Sequence, residues 1–361
     1  YSVIVVAEAP HGSNLFRDRA RAETHTRGVI SVQFAHPEPS GDLIVDAAGR
    51  PSNAFMVTHD ERADKRVRII HTEGFPPSVK MSSNQVHHLK AACEDPSERT
   101  VLVISDETCL HLNLPAGLPA SCWYNIVRRY PFNAPRYREV EQREFYIPLG
   151  PRDTFPFIPQ DIVSEVSTRP YLINLAVRPV GATSPRREEL VEIVKQYEME
   201  HPTVAIHADP GRLGYNEWQD LLLSSRFTLT PGGHNPETFR MFEALETGSI
   251  PIISKLDYTN PSFHKNRNVD ACGTGDVPWN TVAASPFANA VSVGSWSELP
   301  ALLDRLQYES DDYINQLQVE CRQWYDALLN RTYNSLLNAG DGQEMWPQAG
   351  PIILDEEGGK W

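Results

Sequence analysis

The stretch FTLTPGGHNPETFRMFEALETGSIPIIS, residues 227–254, decides how this chain folds. It opens on Phe227-Thr228-Leu229, a run that reads as a buried strand. The run breaks into Pro231-Gly232-Gly233-His234-Asn235-Pro236, where two glycines let the backbone turn sharply and approach a ligand closely. A helix over Pro236 to Glu246 is expected next, with Asn235 as N-cap and Pro236 in the first turn. Phe239, Phe242 and Leu245 recur at three-residue spacing and mark its core face, while Arg240, Glu243 and Thr247 fall on another. Gly248 ends the helix, and Ile250-Pro251-Ile252-Ile253 re-enters the sheet. Strand, loop, helix and strand in that order are one turn of a parallel α/β fold.

The same residues carry chemistry. The unpaired N–H groups and positive dipole end of a helix favour an anion, and a diphosphate suits the end formed by Gly232, Gly233, His234, Asn235 and Thr238. Arg240 can neutralise phosphate oxygens in a forked geometry. Glu243 can accept hydrogen bonds from both hydroxyls of a ribose. Two glycines alone would mean only an ordinary strand–loop–helix unit; Arg240, Glu243 and the Gly-Ser-Ile-Pro exit make the pattern far more specific.

Outward from this block the alternation continues. Tyr171–Val177 reads as a strand, and Arg186–Glu200 as a helix with apolar residues at 190, 191, 193, 194 and 197. Val204–Ile206 reads as a strand and Tyr215–Ser224 as a short helix. Further upstream, Val3–Ala7, Val67–Ile70, Val101–Ile104 and Phe145–Gly150 read as strands, and Ser82–Cys93 has helical spacing. Residues 36–52 have the Pro, Gly and Asp content of surface loop and hairpin, and 151–168 carry three prolines and read as a linker. The expectation is an α/β chain of two Rossmann-like domains facing each other across a cleft. They would span residues 1–150 and 151–337, with 338–361 as a Gly- and Pro-rich tail.

Composition narrows the class. The chain has 361 residues, 40% apolar and 22% charged, ordinary for a globular protein. A net charge of -14 argues against a nucleic-acid partner, which needs basic surface to neutralise phosphates. Five cysteines, none in CxxC spacing, argue against a zinc site, and their odd number leaves at least one thiol outside any internal disulfide. No stretch approaches the roughly 20 apolar residues of a membrane span. The chain opens at Tyr1 without a methionine, so an upstream membrane anchor outside this sequence is expected to be the only link to a membrane. One glycosylation sequon, Asn330-Arg331-Thr332, counts only in a secretory protein.

With these residues in view, the chain resembles exostosin-like glycosyltransferases, whose nucleotide segment reads P-x-G, then R-x-x-E-A, then G-x-I-P-V. The likeness is greater to the related ribitol-phosphate xylosyltransferase family. It spans most of residues 100–337 and takes in Asp106-Glu107-Thr108-Cys109, Ile147-Pro148-Leu149-Gly150 and Arg169-Pro170-Tyr171-Leu172-Ile173-Asn174. It continues through Ser184-Pro185-Arg186-Arg187-Glu188-Glu189-Leu190, Trp296-Ser297-Glu298-Leu299-Pro300 and Gln323-Trp324-Tyr325. The resemblance implies a GT-B fold and an inverting, UDP-sugar-dependent mechanism. It also suggests that Arg187 reaches the donor phosphates, a role Arg186 or Arg178 could fill instead. Thr230 stands where relatives often carry a cysteine, and the first hundred residues match weakly, which leaves the acceptor open.

The implied reaction moves a sugar from UDP-xylose or another UDP-sugar to a hydroxyl on a glycan or glycoconjugate. It needs charge for the leaving diphosphate and a base for the hydroxyl proton. Asp106 and Glu107, just after the Val101–Ile104 run, rank first as base, then Glu8, then His11 after the first strand; each could instead cap a loop. No Asp-x-Asp motif occurs, so no metal and no cofactor beyond the donor substrate is expected. Arg240, one of Arg186 and Arg187, and the helix N-terminus would supply the charge. The alternative is an inactive glycosyltransferase-like subunit that binds nucleotide or glycan and supports a partner; a phosphorylase or epimerase on the same fold is a third reading. A eukaryotic chain of this kind belongs in the Golgi or secretory lumen, any other in the cytoplasm.

Overall fold

The computed structural model describes residues 2–4, 53–59, 66–72, 98–104, 125–128 and 144–146 of the first part of the chain. It then describes 148–151, 155, 158, 162–177, 184–208, 213–233, 237–259 and 281–341. The first group forms a six-stranded sheet and the second contains a four-stranded one.

The first sheet comprises β1 (Ser2–Ile4), β2 (Asn53–His59), β3 (Arg66–Thr72), β4 (Glu98–Ile104), β5 (Asn125–Arg128) and β6 (Glu144–Tyr146), in chain order. β1, β2 and β3 pair antiparallel; β3 through β6 are parallel. Its centre is built from the β-branched runs that the sequence marks, with Ile69 opposite Val101 and Leu102 opposite Ile126. Two strands, β2 and β5, were not anticipated; β1 is described over Ser2–Ile4, and the rest of the Val3–Ala7 run lies outside the described residues. The helix expected over Ser82–Cys93 lies outside the described residues, as do the loop expected at 36–52 and Cys93, Cys109, Cys122 and Cys272.

The second sheet holds β7 (Tyr171–Leu175), β8 (Ile206–Ala208), β9 (Ser225–Leu229) and β10 (Ile250–Ile252), all parallel in the order β10-β9-β7-β8. Helix α1 (Ser184–Glu200) links β7 to β8, α2 (Tyr215–Leu223) links β8 to β9, and α3 (Phe239–Thr247) links β9 to β10. The path moves outward from β7 to β8, then reverses. Right-handed crossovers therefore place α1 on one face and α2 and α3 on the other. The carboxyl ends of β7 and β9, where the direction changes, flank the crevice that binds ligands in doubly wound sheets.

Among the described residues this unit also holds α4 (Lys255–Thr259), α5 (Pro286–Ala290), α6 (Leu299–Leu306) and α7 (Asp311–Asp341). Helix α7 packs on α3, α5 and β10, and it also touches β4 of the first sheet. Its buried Trp324 meets Phe287 edge-on, with centroids 5.4 Å apart, and Tyr325 lies against Phe242. Cys321 is a free, buried thiol on the same helix, and burial pushes its pKa up. The sequon asparagine Asn330 falls inside α7.

Residues read as a linker contribute to this unit. Phe155 and Ile158 are buried with Trp218, Leu221, Leu222 and Ala244, and Val166 joins the main core. Ile158 N donates to Glu246 Oε1 at 3.0 Å, and Val166 N to Gln318 Oε1 at 3.0 Å. Arg169, almost wholly buried, donates to four carbonyls, those of Ser164, Leu222, Ser225 and Thr247. Desolvation lowers its pKa to about 10.

Candidate functional site

The crevice end of the second sheet is held together by backbone atoms that arginines and carboxylates claim. Beyond β9, Thr230 prolongs the pairing with β10: its N–H and its hydroxyl both donate to Ile252 O, at 3.0 and 2.9 Å. A cysteine there could not make so strong a second bond, which gives the threonine a structural use.

Gly232 follows. Its carbonyl accepts from Arg187 Nε at 3.1 Å, and its N–H donates to Asp257 Oδ2 at 3.0 Å. Asp257, on α4, takes the indole N–H of Trp296 on the same oxygen at 3.0 Å. Arg187 in the first part of α1 and the glycine loop are thus brought together. The loop amide at Gly232, expected to face a phosphate, is paired with a carboxylate. Arg240 on α3 directs Nε to Ala176 O at 3.0 Å, just past the end of β7. Arg187 and Arg240 therefore sit at the carboxyl ends of the two strands that flank the switch point.

Helix α3 starts three residues later than Pro236: it begins at Phe239, with Thr238, in extended backbone (φ -132, ψ 150), as the N-cap. That corrects the assignment of Asn235 as N-cap and Pro236 as first-turn residue. Asn235 and Thr238 can both cap in principle. Glu237, just before the cap, is buried and accepts Leu149 N–H at 2.9 Å, and this fixes the chain in an extended entry. The Thr238 hydroxyl is buried and meets no hydrogen-bond partner among the described residues. Tyr258, beside this end, has its phenol pushed well above the ordinary 10.0 by burial, then by the charges of Glu237 and Asp257.

Glu243 is buried one turn further along α3, and its Oε2 accepts the Trp218 indole N–H at 2.8 Å. Thr247 turns inward, donating to Glu243 O and Ala244 O, and serves the helix. Phe242 and Leu245 are buried in the main core, and Phe239 packs against it, as their spacing predicted. Asp257, Trp296 and Trp218 were not foreseen. Their partners stand 25 to 39 residues away in sequence, beyond the reach of any local pattern.

Gly233 lies in the described loop beyond β9, half-buried. His234, Asn235 and Arg178 lie outside the described residues, as does the side chain of Arg186. So do the base candidates Asp106, Glu107, Glu8 and His11; β4 ends at Ile104, two residues before Asp106. Among the described residues no group of His, Cys, Asp and Glu could hold a metal ion, and no helix is long and apolar enough to cross a membrane.

The second sheet is thus a doubly wound parallel α/β unit with Arg187, Arg240 and the Gly232 loop at its switch point, and a further sheet precedes it in the chain. The chain belongs to the RXYLT1 C-terminal domain family, whose model matches residues 152–339. It is similar to ribitol-5-phosphate xylosyltransferase 1 of Danio rerio, 27% identical over 179 residues, covering 48% of this chain and 38% of that one. The Homo sapiens protein of the same name is 25% identical over 207 residues, 54% of this chain and 43% of that one. The chain thus spans about two fifths of the length of these curated relatives. Among solved structures, the N-terminal domain of Candida albicans trehalose-6-phosphate phosphatase aligns with a TM-score of 0.40 at 10% identity, over 74% of this chain and 77% of that one. TarM aligns at 0.39 and 9% identity, over 83% and 66%.

Proposed function

We propose that this chain is a glycosyltransferase that moves a sugar from a UDP-sugar, xylose first among them, to a hydroxyl on a glycan or glycoconjugate. Family membership and the xylosyltransferase names of its relatives support the reaction class. One observation carries the placement of the donor: Arg187 and Arg240 meet the backbone at the ends of β9 and β7, on either side of the switch point.

In this reading each arginine is braced through Nε, and its terminal nitrogens face the leaving diphosphate. The Thr238 hydroxyl and the start of α3 add donors. Glu243, which also accepts the Trp218 indole N–H, addresses the ribose. Charge on the departing UDP is met by arginine and helix dipole, so the reaction runs without a metal, in keeping with the lack of an Asp-x-Asp motif. A carboxylate or histidine from the first unit, Asp106 or Glu107 before Glu8 and His11, takes the acceptor proton as the hydroxyl attacks the anomeric carbon opposite the leaving group, inverting it. The secretory lumen is the proposed place of action for a eukaryotic chain.

Calorimetry with UDP and a UDP-release assay over UDP-sugars, with and without EDTA, test this. UDP should bind, Arg240→Ala should weaken it by about tenfold or more, and EDTA should leave transfer intact. Unchanged UDP binding in Arg240→Ala removes the pocket assignment, and loss of transfer in EDTA removes metal independence. UDP binding without turnover on any acceptor favours the inactive subunit instead.

A further inference from the structure

We propose that Arg322 is a positioning residue: from α7 it sets where α3 stands along its own axis, and so where Arg240 reaches. The inference rests on the donor-site reading above. A helix leaves its last four carbonyls without partners of its own. At the end of α3 these are met by side chains from elsewhere in the fold. Arg322 Nη1 donates to Leu245 O at 2.8 Å and to Glu246 O. Arg169 Nη2 takes Thr247 O at 2.8 Å. Gln318 Nε2, one turn before Arg322 on α7, takes Gly248 O at 2.9 Å.

Capping alone does not call for this arginine. Gly248 already closes α3, with its own N–H on Leu245 O. Arg322 is 5% exposed, and its Nε–H meets no hydrogen-bond partner. A buried cation with an unmet N–H carries a desolvation cost that an apolar side chain would avoid. What the guanidinium adds is direction. Apolar contacts are non-directional, whereas two carbonyls on one nitrogen fix the helix end in place. Helix α3 has nine residues and is about 13 Å long, so a shift at one end is carried to the other. Thr238 caps that other end, and Arg240 is its second residue, braced on Ala176 O at 3.0 Å. A misplacement of about 1 Å is enough to spoil such a contact. Because α7 also touches β4, the same grip ties α3 to the first sheet.

Calorimetry with UDP on the full chain, in the wild-type and Arg240→Ala backgrounds, tests the idea. Arg322→Met should weaken UDP by about tenfold in the first background and by less than about twofold in the second. Its melting temperature should fall by the same amount in both. A residue that only stabilises the fold would lower the melting temperature and leave UDP affinity alone. Unchanged UDP affinity, or an equal loss in both backgrounds, therefore overturns the positioning role and leaves the donor site standing. If Arg322→Met does not fold, Arg322→Lys decides by the same comparison, since it keeps the charge and loses the planar fork. Failure of wild type to bind UDP, or UDP binding unchanged in Arg240→Ala, overturns the donor reading, and the inference with it.

Discussion

Asp257 shows how much one carboxylate can organise. A single oxygen receives the amide of Gly232 and the indole of Trp296, joining the loop after β9 to α4 and to the turn at Trp296–Glu298. Asp257→Ala strands two buried donors, each at about 1–3 kcal/mol. The variant should melt earlier and bind UDP more weakly, because Gly232 O is also the brace for Arg187; differential scanning calorimetry and titration check both. Cys321 offers a chemical test at the same scale. Its thiol is buried and its pKa raised, so peptide mapping after iodoacetamide treatment should find it unmodified in the native protein and modified after denaturation. Arg187, Gly232, Arg240 and Glu243 were legible because glycine, arginine and glutamate fell within one strand–loop–helix block or beside a helix start. Trp218 and Asp257 were not, because a hydrogen bond formed across the fold leaves no periodic trace.

At the level of elements, alternating strands and helices from Tyr171 to Ile252 could be read directly, since apolar runs and period-3.6 faces were well separated by Gly and Pro. The start of α3 could not. Asn235 and Thr238 are both good caps, and the choice falls to Glu237, whose tether to Leu149 N is a tertiary contact. Strands β2 and β5 were missed because Asn53–His59 and Asn125–Arg128 begin and end on polar residues, which leaves only short apolar runs, Ala54 to Val57 and Ile126 to Val127, between them. The other end of α3 was plain: Gly248 closes it in the left-handed region at φ 70. A Cβ there would meet Val163 Cγ1 at 2.5 Å and Gln318 Nε2 at 2.7 Å. Gly248→Ala should therefore cost about 2–4 kcal/mol, combining the backbone and crowding penalties, read as a lower urea midpoint with an unchanged slope.

For the molecule as a whole, two Rossmann-like domains were expected; the described residues show the parallel alternation in the second part, whereas the order of the first sheet and its antiparallel β1–β3 edge were not foreseen, because sequence marks strands far better than it marks their neighbours. Buried tyrosines set an alkaline limit on the assembly. Burial comes first among the causes that raise the pKa of Tyr197 and Tyr258, with Asp304 adding to the first and Glu237 and Asp257 to the second. Above the ordinary tyrosine value of 10.0 the folded chain keeps protons that the unfolded chain releases, so stability is full below that pH and declines above it. Denaturation at pH 8 through 11 should show this fall, and Tyr258→Phe should make it shallower.

Arg169 has a consequence in time rather than in energy. Its four carbonyl partners belong to the segment before β7, the end of α2, the first residue of β9 and the last residue of α3. The full set of bonds needs all four segments in place, so the expectation is that it closes late in folding. Arg169→Met should leave the refolding arm of a chevron nearly untouched and steepen the loss of the native state, with a φ-value near zero. A side chain that joins last is the first to be missed when the protein begins to come apart.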